Sequence, residues 1–413
     1  MTVDDALARW REALVEHVPL TPTERRDLAA ARGLALGQPV LAGDDVPGFD
    51  RSTMDGYAVA AADTYGASEG QPAYFTVAGE VAMGAAAAAT AGAGSAVRIA
   101  TGGMMPSGAD AVVMVEYCED LATGEIAVSR AVSPGENVIR RGDDLRAGRP
   151  VLPAGHRLRP QDLGLLAAAG VTSVLVHRRP RVAIVATGDE IVPPGQAPEP
   201  GQVRDANSVA LAGMVAAAGG EPVPAGIVGD DPAAMSRAFA AAAEGSDLLL
   251  VSGGSSVGHR DYVGPAIAAM GQPGVLAHGL ALRPGKPTLL AVAESLPIIG
   301  LPGHPASALV VFWLFGRHAL DHLLGVAGDQ GLRPAVRATL SHNLPSAPGR
   351  EEYWRVALRP RPDGGGWLGE PVFGASGLLH TLVAGDGLVR VPRGSEGLPA
   401  GAEVDVFLFG GVR

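Results

Sequence analysis

Apolar residues come in short unbroken runs parted by Gly, Pro and Ser turns, and the most informative is Leu248-Leu-Leu-Val251, followed at once by Ser252-Gly-Gly-Ser-Ser256. A run this short, with no polar alternation, predicts a strand covered on both faces. Arg181-Val-Ala-Ile-Val-Ala-Thr-Gly-Asp-Glu190 repeats the pattern, ending in Thr-Gly and two carboxylates. Between the two, residues 206–218 have helical spacing and stop at Gly219-Gly220, a glycine C-cap, and residues 221–228 read as a strand. Gly229-Asp-Asp-Pro232 opens a further helix, with Asp231 as N-cap and Pro232 in the first helical position. An apolar helix over about 306–324 closes the unit. Strands alternating with helices predict a doubly wound α/β domain.

Elsewhere the pattern changes. Asp4 and Asp5 precede an amphipathic helix, residues 160–169 read as a helix stopped by Gly170, and residues 171–176 as a strand. The stretch 45–144 is rich in Gly, Ala and Val with short β-like runs such as 111–115, while the low-complexity 85–93 predicts a loose turn or short helix without chemistry. From about 330 onward, segments 335–340, 353–358, 387–391 and 403–408 predict short strands between Gly/Pro turns, a small β-barrel or sandwich.

The chemistry starts at the loop after residue 251. Gly253, Gly254 and Gly258 let the backbone turn tightly and approach a ligand, and Ser252, Ser255 and Ser256 add hydroxyls. Open α/β sheets bind ligands at the carboxyl ends of parallel strands, and such loops present N–H groups that suit phosphate. Asp261 stands at the far end of this loop. A carboxylate repels phosphate unless a cation lies between them, so the simplest chemistry is Mg²⁺-assisted cleavage of a phosphate linkage. Asp230 has no capping role and lies at the end of a strand on the same sheet edge, which makes it the second metal-linked carboxylate. Leu282-Arg-Pro-Gly-Lys-Pro287 and Ile299-Gly-Leu-Pro-Gly-His-Pro305 add two rigid turns, the first bearing Arg283 and Lys286. Taken alone, the loop serves equally well as an ordinary strand-to-helix turn.

Composition narrows the partners. With 413 residues and 47% hydrophobic content the chain supports about three folded domains. A formal charge of −11 argues against nucleic acid or an anionic membrane surface as the main partner. The single cysteine, Cys118, permits no internal disulfide and reads as a packed side chain. The N-terminus has neither the basic region nor the apolar core of a signal peptide, and the apolar run 308–315 is too short to cross a bilayer. A soluble cytoplasmic protein is expected.

Seven motifs in order carry a resemblance. Ser52-Thr-Met-Asp-Gly-Tyr-Ala-Val59, Arg98-Ile-Ala-Thr-Gly-Gly103 with Pro106-Ser-Gly-Ala-Asp-Ala-Val-Val113, and Val138-Ile-Arg-Arg-Gly-Asp-Asp144 come first. Thr187-Gly-Asp-Glu190, Ser252-Gly-Gly254 with Asp261-Tyr262, Pro284-Gly-Lys-Pro287 and Gly300-Leu-Pro-Gly303 follow. Together they resemble the molybdopterin molybdenumtransferase family, to which the E domain of gephyrin belongs. The resemblance implies a multidomain α/β protein: an elongated domain made of 1–44 and 145–178, an inserted mixed α/β domain at 45–144, a molybdopterin-binding doubly wound domain at 179–327, and a C-terminal β-barrel at 328–413. It implies insertion of molybdate into adenylylated molybdopterin, with Mg²⁺-dependent release of AMP.

Carried over by motif, Asp230 and Asp261 would hold Mg²⁺, Glu190 would orient water or metal, and Thr187, Gly188, Ser252, Gly253, Gly254, Ser255, Pro302 and Gly303 would bind substrate. Arg283, Lys286, Arg350 and Ser376 would form a molybdate cage. Asp55, Thr101, Gly102, Arg140 and Asp144 gain a purpose only if the inserted domain of a second protomer leans over the cleft of the first, so a homodimer is expected. On local chemistry alone, Met54-Asp-Gly-Tyr57 and Gly142-Asp-Asp144 are equally ordinary turns. Transient contacts with the molybdopterin adenylyltransferase and with apo-molybdoenzymes are implied as well. The chain departs from the family pattern at Gly279, where lysine is usual, at His304, where asparagine is usual, and at Met83. The alternative is therefore a catalytically degenerate paralogue that binds pterin or acts as a scaffold.

Overall fold

Successive residues of a strand point to opposite faces of its sheet, so a strand covered on both sides must be apolar throughout. That is the state of β3 (Leu248–Ser252), all of whose residues are buried. Its even-numbered leucines, with Val182 and Ile184 of β1 (Arg181–Thr187), join one core cluster, whereas Leu249 and Val251, with Ala183 and Val185, join another. The first cluster is covered by α1 (Asn207–Ala218), the C-terminal helices of the unit and the helix Val3–His17; the second by α2 (Pro232–Ala243) and α3 (Val263–Ala268). The computed structural model describes residues 1–121, 123–253, 262–328 and 334–409.

With β2 (Glu221–Val228), β4 (Pro273–His278), β5 (Leu289–Ala293) and β6 (Leu296–Leu301), the sheet has the order β2-β1-β3-β6-β5-β4. Its first four strands are parallel, and β5 and β4 extend it antiparallel, an edge that the helix-strand alternation did not predict. The chain runs from β1 outward to β2 and then back across β1 to β3. Strand order therefore reverses between β1 and β3, where a ligand crevice opens at the carboxyl ends.

Asp231 caps α2 through a 2.6 Å bond from the Ala234 N–H, and Gly219 ends α1 at φ +98. The long apolar helix consists of α4 (Pro305–Val311), a π-helical stretch at Phe312–Gly316 and α5 (Arg317–Leu323). Gly316 lies in that widened stretch, where a Cβ would run into the Phe312 ring.

The C-terminal strands β7 (Val336–Leu340), β8 (Glu351–Pro360), β9 (Trp367–Pro371), β10 (Gly387–Val391) and β11 (Glu403–Leu408) pair in a ring and close a five-stranded barrel. A two-residue strand of the α/β unit, Leu282–Arg283, adds to it in parallel by pairing with Glu351 and Glu352. The segments flanking the insertion also fold together: Thr23–Asp27 pairs with Ser173–His177, and Val40–Leu41 with Pro150–Leu152. The insertion itself is a six-stranded sheet, and the helical turns among its described residues, Ala61–Thr64 and Val115–Tyr117, are 3₁₀. Cys118 is half-buried, and burial pushes its thiol up to about 12, as expected of a packing residue. No helix among the described residues is long and apolar enough to cross a membrane.

Candidate active site

The register of the parallel strands brings the carboxyl ends to one level: Thr187 faces Val228, Ala186 faces Ser252, and Ser252 faces Leu301. Two backbone bonds tie the loops beyond, from Gly188 N–H to the Val228 carbonyl at 3.0 Å and from Gly253 N–H to the Leu301 carbonyl at 3.1 Å. Gly253 has φ +107, and a Cβ there would collide with the Thr187 carbonyl, so only glycine allows this close approach. Gly253→Ala is expected to lower stability by about 2 kcal/mol, read by denaturant unfolding.

A cleft of about 720 Å³ opens at this edge. Thr187, Glu190, Ser252, Gly253, Pro302 and Gly303 line it, as do His304 and Asn207. Gly188 sits in the same loop as Thr187, while Gly254, Ser255 and Asp261 lie outside the described residues. Asp189 accepts a 2.9 Å bond from the Asp230 N–H, which fastens the β2 turn beside the β1 loop and leaves the Asp230 carboxylate without a partner among the described residues. Among those residues, no three His, Cys, Asp or Glu side chains group in a way that could hold a metal ion. Asp230 and Glu190 offer only oxygen donors, the type that Mg²⁺ takes.

Next to this cleft is a cavity of about 380 Å³ that gathers Arg283, Lys286, Arg350 and Ser376. The strand addition of Leu282–Arg283 to β8 explains how: it sets Arg283 opposite Glu352 across the domain boundary. The Glu352 side chain is only 2% exposed, and its Oε1 accepts from Arg283 Nη1 at 3.2 Å and from Arg350 Nε at 3.0 Å. One buried carboxylate thus orients two guanidinium groups at the rim. Arg355, absent from the expected set, lines the cavity too; its Nη2 donates to the Gly374 carbonyl at 2.7 Å, and its buried Nε has no partner among the described residues. Burial lowers the Arg355 pKa from its ordinary value, and an anion alongside would counter that. Among the described residues, four cations against one carboxylate line this cavity, which suits a small dianion.

Two of the sequence departures are explained by position. Gly279 does not line this cavity and has φ +83, so a lysine there would need the left-handed region at a cost of about 1–2 kcal/mol. His304 stands at the N-cap of α4, where its Nδ1 lies 3.3 Å from Ser376 Oγ, and the Ala306 N–H donates to the Ser376 carbonyl at 3.1 Å. The segment around Ser376 is thereby fastened to the cleft wall. Met83 is 62% exposed.

The inserted-domain residues stand apart. The Thr101 N–H donates to Asp55 Oδ1 at 2.7 Å, and this bond holds the Asp55 carboxyl below the usual carboxylate range. Gly102, at φ +84, donates to the Ser52 carbonyl, so the loops containing Asp55 and Thr101 form one surface. The Arg140 N–H donates to Asp143 Oδ2 and the Asp144 N–H to the Val46 carbonyl, as in the ordinary turn reading. Asp55, Thr101, Arg140 and Asp144 are exposed, and none of the five lines the cleft or the cavity within one chain.

Three family models match successive parts of the chain. The models "MoeA N-terminal region (domain I and II)", "Probable molybdopterin binding domain" and "MoeA C-terminal region (domain IV)" match residues 1–170, 183–322 and 337–409. A molybdopterin molybdenumtransferase from Nostoc sp. is 38% identical over 80% of this chain and 76% of its own length. Molybdopterin molybdenumtransferase 2 of Mycobacterium tuberculosis is 36% identical over 92% of this chain and 93% of its own. A crystal structure of a molybdopterin biosynthesis MoeA protein from Pyrococcus horikoshii superposes with a TM-score of 0.84 at 31% identity, covering 99% of this chain and 100% of that one.

Proposed function

The chain belongs to the molybdopterin molybdenumtransferase family, and from that premise we propose that it transfers molybdenum to molybdopterin in molybdenum cofactor biosynthesis, taking the pterin as its adenylylated form and releasing AMP. The observation that carries this reading is that the two cavities meet: Pro287 and Ser307 line both. An anion held by Arg283, Lys286, Arg350 and Arg355 lies next to whatever occupies the glycine-walled cleft. Transfer of an oxyanion to a phosphorylated pterin needs that adjacency, because it spares the encounter entropy of bringing the two together.

The residues have separable tasks. Backbone N–H groups of the Gly/Ser loop after β3, which beyond Gly253 lies outside the described residues, would bind the phosphates. Asp230 and Asp261 would hold Mg²⁺, which when bound neutralises charge on the pyrophosphate bridge. Glu190, which lines the cleft, would orient water or metal, and Glu352 keeps two guanidinium groups aimed. A scaffold without activity is disfavoured, since 92% of the chain aligns with a relative named as a transferase and Arg283, Lys286, Arg350 and Arg355 line one cavity. We place the protein in the cytoplasm as a two-fold homodimer, in transient contact with the adenylyltransferase that supplies its substrate and the apo-molybdoenzymes that take its product.

The test is incubation with adenylylated molybdopterin, Mg²⁺ and molybdate, following AMP. AMP release that rises saturably with molybdate is expected; binding without AMP release would restore the scaffold reading. In the same assay Lys286→Met is expected to raise the half-saturating molybdate concentration about ten- to a hundredfold, the effect of losing one charged hydrogen bond.

A further inference from the structure

Asn207 opens α1 and is 9% exposed. Its Nδ2 donates to Ser252 Oγ at 2.9 Å and to the Gly303 carbonyl at 2.8 Å. A carbonyl can only accept, so the amide nitrogen must face Gly303, and the network fixes which way the amide points. Both amide protons are then in use. The remaining atom, Oδ1, is buried and finds no partner among the described residues, and the same holds for Oγ1 of Thr187, which is 1% exposed. Both residues line the larger cleft, at the strand-order reversal between β1 and β3. Ile191 and Val203 give that cleft apolar wall.

An unmet buried acceptor destabilises the protein unless a ligand meets it. A carboxylate or phosphate oxygen brings no proton and would be repelled by Oδ1. A flat ring bearing an amino group satisfies every term: its N–H donates to Oδ1, its neighbouring N–H or ring nitrogen meets the Thr187 hydroxyl, and its faces lie on apolar wall. We propose that Asn207 Oδ1, together with Thr187 Oγ1, reads the exocyclic amino group of the substrate's heterocycle and sets specificity for it. The inference rests on the proposed substrate, whose pterin and adenine rings both carry such a group.

Binding, measured without molybdate or Mg²⁺, separates these sources and keeps the result independent of the proposed reaction. The probes are a 6-substituted pterin against the matching lumazine, in which oxygen replaces the 2-amino group, and AMP against purine riboside 5′-monophosphate, which lacks the 6-amino group. The wild type is expected to prefer the amino-bearing member of one pair by about tenfold or more. Asn207→Ala should bring that ratio near one; the pair affected names the ring. Were Asn207 only a fastener of α1 to Ser252 and Gly303, both members of a pair would weaken together and the ratio would hold, which overturns the proposal. Thr187→Val guards against a variant that fails to fold, since it removes a hydroxyl with no bond to lose. It should lower the same ratio about threefold or more without lowering the melting temperature, and an unchanged ratio overturns the proposal. So does a wild type with no preference in either pair.

Discussion

Asp230→Asn is expected to slow AMP release at least about a hundredfold, the largest single-residue effect the site predicts, while the fold survives. Removing a group that supports metal-assisted charge neutralisation costs the reaction several kcal/mol, and about 2.7 kcal/mol already equals a hundredfold. The neighbouring carboxylate supplies the control. Asp231 accepts from the Ala234 N–H as the cap of α2, so Asp231→Ala should lower stability by about 1 kcal/mol and leave turnover within about twofold. Asp189 is different again, because it holds the Asp230 N–H, and its loss should act through the position of Asp230. Quenched-flow measurement of AMP, with unfolding curves for each variant, separates the three. A wild-type rate for Asp230→Asn would move the metal site elsewhere, whatever Asp261→Asn does.

Those three aspartates also show what a sequence can and cannot tell. Asp231 before Pro232 is a local signal, and the cap could be assigned from two residues. The carboxyl edge shared by Thr187, Ser252 and Asp230 was legible for a related reason: unbroken apolar runs mark buried parallel strands, and buried parallel strands end at one edge. Asp189 was given no role from the sequence, because the turn it fastens, through the Asp230 N–H, is formed by residues some forty positions further on.

Arg355 and Asn207 were missed for another reason. Asn207 looks like an ordinary helix start and Arg355 like one polar position in a strand; each becomes conspicuous only when burial leaves one of its atoms without a partner. The addition of Leu282–Arg283 to the barrel is a pairing across almost seventy residues, invisible to any periodicity, and it helps bring the cations of two domains around one cavity. Residues that were placed together in the sequence by family resemblance are placed together in space with the help of that strand.

Mixing Asp55→Ala protein with Asp261→Ala protein, each inactive as its own homodimer, is expected to recover activity: a mixed dimer should carry one working cleft of two, and a statistical mixture about a quarter of the wild-type sites. Within one chain Asp55 lies on an exposed loop of the inserted sheet, fixed by the Thr101 N–H and away from both cavities. A carboxylate pinned by a backbone bond at 2.7 Å and kept ionised by it is prepared for a cation or a donor that its own chain does not bring. Arg140 and Asp144 are likewise exposed, and neither they nor Gly102 line the cleft or the cavity. If a second protomer lays this surface over the strand-order reversal, every cleft draws Asp230 and Asp261 from one chain and Asp55 from the other. In the mixed dimer one cleft then collects both lesions and its twin collects neither. The interface should exceed about 1,000 Å², since a smaller one would not hold a shared site in register. Subunit exchange followed by fluorescence transfer must accompany the assay, because recovery needs exchanged subunits. Subunits that exchange without recovery, or a monomer at micromolar concentration in sedimentation, would show that each cleft is complete in one chain and that Asp55 is a turn residue.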